Sequence, residues 1–218
     1  MKFEDCVYKE VCNDDCRPAC MRYVEMRFML KHSNIPESQQ KIHRLIPEQC
    51  DIKAFEKLAD IQQDIYNFVK QGKTLYIYSP NCGNGKTTWS IKLMLQYFNE
   101  MWAGNGFTKR GIFVNVPSFL ATCKFTISHP DESFDELRAD LPKVDLVIFD
   151  DIATTKLTEY EYGLLLNYID QRAFGEKSTI YTGNIVPSKL QDYVGSRLAS
   201  RIVGDNTTKV MLRGKDMR

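Results

Sequence analysis

Between a β-like run at 74–78 and a helical pattern that begins near Thr88 lies Pro80-Asn81-Cys82-Gly83-Asn84-Gly85-Lys86-Thr87. Few local sequences constrain a fold more. The order strand, glycine-bearing loop, lysine-hydroxyl pair, helix is the template G-x-x-x-x-G-K-[ST] of a nucleotide-phosphate loop. In that template successive backbone N–H groups curl around a β-phosphate, the lysine reaches the β- and γ-phosphates, and the hydroxyl ligates Mg²⁺. Lys86 and Thr87 fill the last two roles, and Asn81, Cys82, Gly83, Asn84, Gly85 and Thr88 are the remaining candidates for ATP contact. Gly85 permits close backbone approach, and the following helix turns its positive end toward the anion. Pro80 stands where the template has its first glycine, and a proline at a turn entry removes only one N–H. The plain alternative is a chance match in a Gly/Asn-rich turn, against which the flanking strand and helix weigh.

At 218 residues the chain has room for one well-buried domain and a small appendage. Its apolar runs fall far short of a membrane span, and Met1-Lys2-Phe3-Glu4-Asp5-Cys6 lacks the apolar core of a signal peptide. A cytoplasmic protein without a membrane partner is therefore expected. A net charge of +1 gives no global attraction to nucleic acid, so any DNA contact would be a local patch or pore lining. Seven cysteines beside an ATP-type loop point to a reducing compartment, where clustered cysteines more often bind metal than form disulfides.

The pattern divides the chain into a small cysteine-rich unit at 1–32, a polar linker at 33–50 interrupted by Pro36 and Pro47, and an ATPase domain at 51–218. The first unit includes an amphipathic helix-like run at 21–31. A helix is expected to lead from Asp51 to Gly72 into the first strand. Further strands are expected at 112–116, 144–149, 179–182 and 209–212, with helices at 157–174, 188–193 and 196–203. The stretch 117–142 has no clear periodicity. Strands alternating with helices at these lengths predict an α/β fold with a wound, mostly parallel sheet.

Leu146-Val147-Ile148-Phe149-Asp150-Asp151 reads as a buried strand delivering carboxylates to its C-terminal edge, where ligands bind in open α/β sheets. Asp150 is the candidate to hold Mg²⁺ and Asp151 to orient or deprotonate an attacking water, unless Asp151 merely caps the next turn. Asn184 follows the next core strand at the same edge, with reach to a γ-phosphate or that water; a turn asparagine after Gly183 is the alternative. Arg197 and Arg201 are four apart on a short helix and project together, either as solvated arginines or as a group supplied to a neighbouring subunit's phosphate.

Cys6, Cys12, Cys16 and Cys20 place four thiols within fifteen residues. On one continuous helix Cys12 and Cys20 would lie roughly 12 Å apart, too far to share an ion, so a metal knuckle requires the chain to break between them. Asn13-Asp14-Asp15 and Pro18 supply such breaks. Zn²⁺ fits four thiolates best; an iron–sulfur cluster and unmetallated thiols are the alternatives.

From about Ser33 onward this set of motifs resembles the AAA+ ATPases of the DnaC/DnaI helicase-loader group. In the resemblance Pro80 to Thr87 is similar to Walker A, Phe149-Asp150-Asp151-Ile152 to Walker B, and Thr182-Gly183-Asn184 to sensor 1. Gly195 to Arg201 is similar to the arginine-finger helix, with Arg201 as finger and Arg197 as helper, and Lys215-Asp216-Met217-Arg218 to the closing segment, making Arg218 the sensor 2 candidate. The resemblance implies an AAA+ P-loop NTPase sheet without a separate lid domain and a weak, assembly-dependent ATPase. It further implies subunits side by side on a replicative DnaB-type hexameric helicase, helping to place it on single-stranded DNA. By the same analogy 118–138 contacts DNA, with Phe119, Lys124 and Phe125 the suitable groups, although an aromatic at helical spacing is more often core. Phage-type loaders look similar in their N-terminal cysteines, and the Met/Phe/Tyr-rich run beside them suits helicase binding. Competing readings are a transposition-regulator ATPase of the IstB type, a P-loop small-molecule kinase, and a zinc-dependent interaction module with a degenerate ATPase.

Overall fold

The computed structural model describes residues 4, 6–9, 12, 16, 19–42 and 44–215. The continuous apolar run forms β3 (Leu146–Asp150), every residue of which is buried. Its side chains alternate between two cores: Leu146 and Ile148 face one, Val147 and Phe149 the other. A strand covered on both faces has no solvent side, which is why its pattern does not alternate in polarity. With β1 (Thr74–Tyr78), β2 (Gly111–Asn115), β4 (Ser178–Gly183) and β5 (Thr207–Met211) it builds a parallel sheet in the order β2-β3-β4-β1-β5. β1 pairs with both β4 and β5, so the loop that follows it emerges at the interior of the sheet edge.

One face is covered by α1 (Met21–Lys31), α2 (Ile52–Gln63), α3 (Ile65–Lys70) and α4 (Lys86–Met101), where Leu93, Met94 and Phe98 pack with Ile77, Ile148 and Ile180. α5 (Val116–Phe125), α6 (Glu132–Asp140), α7 (Glu159–Phe174), α8 (Gln191–Val194) and α9 (Ser196–Val203) complete the helices; on the second face Leu165, Ile169, Leu198 and Ile202 pack with Val147, Phe149 and Tyr181. This is the wound parallel sheet expected. Among the described residues no lid domain follows β5, and no helix is long and apolar enough to cross a membrane.

Three local outcomes differ from the sequence pattern. The helix expected at 51–72 is two, because Asp64 leaves helical geometry and accepts a hydrogen bond from Asn67 Nδ2 at 2.6 Å. The stretch without periodicity, 117–142, holds α5 and α6, each started by a side-chain cap: Asn115 accepts from Ser118 N, and Asp131 from Ser133 N and Phe134 N. The N-terminal helix shares the main core, since Met26, Met29 and Leu30 join the cluster of α4, and Tyr8 donates its hydroxyl to Leu95 O at 2.7 Å. Just beyond it, Phe113 N donates to Ser33 O and Asn34 Nδ2 to Phe113 O, covering the open edge of β2. The expected chain breaks at Asn13 to Asp15 and Pro18, and Arg218, lie outside the described residues.

Candidate nucleotide site

The loop after β1 turns into α4 through Gly85, whose φ of +90° is left-handed and suits glycine alone among common residues. The helix then begins at Lys86 itself. Lys86 Nζ donates to the loop's own oxygens, Asn81 O at 2.9 Å and Asn84 Oδ1 at 3.3 Å, acceptors that a phosphate can replace. Cys82, Gly83, Asn84, Gly85, Lys86, Thr87 and Thr88 line a cleft of about 950 Å³ that Asp151 and Asn184 close from the adjoining strands. Arg44, Leu45 and Ile46 line it as well. These three were not anticipated, because nothing in the linker's composition marks them.

Asp150 ends β3 beneath the loop. Its Oδ1 accepts from Thr87 Oγ1 at 2.8 Å and from Thr182 Oγ1 at 2.7 Å, and burial pushes its carboxyl up from the usual range. The side chain of Asn115 bonds this carboxyl as well. A hydroxyl and a buried carboxylate in contact form a hard-oxygen donor set that fits Mg²⁺. Asp151 has φ of +56°, a costly conformation for a residue with a Cβ, held by its N–H donating to Thr182 Oγ1 at 3.0 Å. Strain so over-determined places the second carboxylate on the cleft wall. Gly183 is required by space: a Cβ there would lie 2.8 Å from Tyr76 Oη and 3.0 Å from Ile152 O. Next to it, the buried Oδ1 of Asn184 has no partner among the described residues, and Tyr76 fixes the turn by donating to Ile185 O at 2.7 Å. A buried polar atom without a partner, on the wall of a phosphate cleft, marks a place for a ligand or water.

The loop is also gripped from the far end of the chain. Asn81 Nδ2 donates to Arg213 O and Gly214 O, and Asn84 Nδ2 to Leu212 O. From the other side the carboxylate of Asp51 accepts from Arg213 N and Gly214 N, and Glu48 from Lys215 N.

Arg197 and Arg201 are absent from the cleft lining and pair instead with Asp170 of α7. Of the DNA candidates, Phe119 is corrected: it is 5% exposed and packs on Phe134 and Tyr168, so it belongs to the core. Phe125 is exposed and stacks on His129, and Lys124 pairs with Glu161 at 2.8 Å. Cys6, Cys12, Cys16 and Cys20 line one small cavity with Tyr8 and Arg22, yet among the described residues no three Cys, His, Asp or Glu side chains are placed to share a metal ion.

Sheet order and site together define a P-loop nucleotide-binding domain of the AAA+ fold. Solved structures that share this fold include the DnaC helicase loader, with a TM-score of 0.64 and 15% identity over 77% of this chain and 93% of that one. DnaI has a TM-score of 0.65 and 17% identity over 83% of this chain and 95% of that one. AMPPCP-bound DnaA from Aquifex aeolicus has a TM-score of 0.58 and 23% identity over 79% of this chain and 50% of that one. In sequence, the chain is 30% identical over 122 residues to an ATP-binding protein of insertion sequence IS1162 from Pseudomonas fluorescens, a match covering 56% of this chain and 48% of the relative. The match thus spans about half of that relative's length. No protein-family model matches the chain.

Proposed function

We propose that the chain is a cytoplasmic AAA+ ATPase that loads a replicative DnaB-type hexameric helicase onto single-stranded DNA. The observation that carries this reading is the gathering of Lys86, Thr87, Asp151 and Asn184 at one cleft, with Asp150 bonded to Thr87, while Arg197 and Arg201 are displayed on a separate helix. Such a site binds ATP by itself but needs a neighbouring copy to complete it, so hydrolysis by the isolated chain is weak and rises on self-association.

Thr87 and Asp150 would hold Mg²⁺, whose charge offsets that of the β- and γ-phosphates. Lys86 exchanges the carbonyl of Asn81 for phosphate oxygen without leaving the loop. Asp151 accepts the proton of the attacking water, and Asn184 orients that water or the γ-phosphate through its amide. Arg201 of an adjacent copy, helped by Arg197, neutralises charge on the transferring group, and Arg218 serves as sensor 2. Residues 1–32 bind the helicase, 33–50 link them to the ATPase domain at 51–218, and Cys6, Cys12, Cys16 and Cys20 close on Zn²⁺. The thiols line one cavity, but as placed no three of them share an ion, so closure requires them to draw together; zinc content of the purified chain measures it. Lys124 and Phe125, both exposed, are the DNA contacts that remain.

A second reading, regulation of a transposase, is favoured by the insertion-sequence relative. Affinity capture from host lysate with ATP and an Asp151→Asn chain separates the two. Recovery of the replicative helicase supports loading; recovery of a transposase replaces it, and recovery of neither removes both. Because Met26 and Met29 belong to the core, the contact is best mapped with Met21→Glu and Val24→Glu on the exposed side of α1 rather than by deletion.

A further inference from the structure

We propose that Asp170 is the positioning residue of the arginine pair, holding Arg201 in the posture from which it reaches the nucleotide bound by a neighbouring copy of this chain. The inference rests on the reading of α9 as the helix that supplies an arginine between subunits.

Two arginines one turn apart on α9 converge on a single carboxylate. Arg197 Nη2 donates to Asp170 Oδ2 at 2.6 Å and Arg201 Nε to Asp170 Oδ1 at 2.8 Å. The three are unequally placed: the Asp170 side chain is 13% exposed, that of Arg201 39% and that of Arg197 59%. The carboxylate is therefore the fixed inner member and the guanidinium groups are the outer ones. Its base is rigid, because Tyr168, Ile169 and Arg172 on either side of it along α7 are buried. The hydrogen bond from Arg201, and then that from Arg197, hold the Asp170 carboxyl below the usual range, so it is charged at neutral pH.

The choice of nitrogen distinguishes the two arginines. Arg201 binds Asp170 through Nε, the inner nitrogen, which keeps both Nη groups outside that bond. These are the paired donors that match a phosphate's oxygens. Arg197 commits an Nη group and so occupies the second oxygen of the carboxylate. A long side chain held at its inner nitrogen loses little further freedom when its outer end meets a phosphate, which is the benefit of preorganisation. As a stability device the same cluster is minor, because exposed ion pairs contribute little. The two roles therefore separate: a purely structural Asp170 would matter for melting, a positioning one for turnover.

Steady-state ATP hydrolysis by the full chain, at a concentration where the rate per subunit has stopped rising, tests this. Asp170→Ala is expected to lower kcat about tenfold, with KM for ATP, binding of a fluorescent ATP analogue and melting temperature close to wild type. Asp170→Glu, which restores the charge on a longer arm, recovers part of the loss. Mixing Asp170→Ala with Lys86→Ala, which has a disabled site and an intact arginine pair, restores hydrolysis, because the second chain serves the first one's site. A slow Arg201→Ala beside an Asp170→Ala of wild-type rate overturns the proposal and leaves the shared-site reading standing. Wild-type rates in both remove that reading and the proposal with it. A slow Asp170→Ala that Lys86→Ala does not restore shows Asp170 acting within its own subunit, which also overturns the proposal.

Discussion

A buried charge sits near each end of strands β3 and β4, one from α7 and one from β3 itself, and the two are treated in opposite ways. Near their N-terminal ends Arg172, 1% exposed, donates Nε to Thr179 Oγ1, Nη1 to Leu141 O and Val144 O, and Nη2 to Asp145 O and Ser178 O. At their C-terminal ends Asp150, 3% exposed, is met by neutral groups, two threonine hydroxyls and the side chain of Asn115. Burial pushes both away from the charged state, Arg172 down to about 10 and Asp150 upward. Arg172 stays ionised at neutral pH, its donors consumed by the surrounding acceptors. It is a rivet between the segment that precedes β3 and the first residues of β4. Asp150 is left short of positive charge. A buried charge saturated by acceptors belongs to the architecture, and a buried carboxylate met by neutral donors without a cation belongs to the chemistry.

Substitutions at the two ends should break this contrast in opposite directions. The largest effect is expected from Arg172→Met, which keeps most of the stem volume but strands several carbonyls. Leaving buried acceptors unpaired costs about 1–3 kcal/mol each, so the urea midpoint should fall steeply, while whatever remains folded binds ATP normally. Lys86→Ala should weaken ATP binding about 100-fold, near 2.7 kcal/mol, as read by titration with a fluorescent analogue. Asp150→Asn should do what active-site substitutions rarely do: abolish hydrolysis and raise the melting temperature of the nucleotide-free protein by about 2–4 °C. The sign follows from linkage. A carboxyl whose folded pKa is raised contributes stability below its unfolded pKa, about 3.9, and loses that contribution as pH rises through the folded value, so at neutral pH the buried anion is a cost. The gain should shrink as the melts are repeated at lower pH. Asn184→Ala is the mildest: about a tenfold lower kcat, with ATP affinity and melting temperature nearly unchanged, because the amide oxygen removed has no partner among the described residues to lose.

What could be read in the sequence was what lies contiguous along it. The phosphate loop between its strand and helix, the apolar run ending in Asp150 and Asp151, and Thr182-Gly183-Asn184 all appear where their local patterns place them. α5 and α6 escaped because their starts are set by the caps at Asn115 and Asp131 rather than by apolar spacing. Phe119 and Phe125 were read as one DNA-facing set, yet six residues turn a helix through about 240°, so one is core and the other exposed. Asp170 and Asp51 were invisible for a simpler reason. Each is an ordinary surface-type residue in the sequence, and its partners lie 27 and 31 residues away in one case and 162 and 163 in the other.

The grip of the phosphate loop on residues 212–214 also orders events in time. Asn84 holds a carbonyl 128 residues later in the chain, and Asn81 holds others 132 and 133 residues later. A ribosome therefore delivers the loop long before the segment that braces it, and β5, the sheet neighbour of β1, arrives only just ahead of that segment. Until then Asn84 can reach Ser79 within the loop, but Asn81 and Asn84 lack the carbonyls of 212–214, and Asp51 has no amides to receive. Bracing of the loop becomes a late event, completed only in chains translated past residue 214, so a prematurely terminated product would carry the loop without its far-end support.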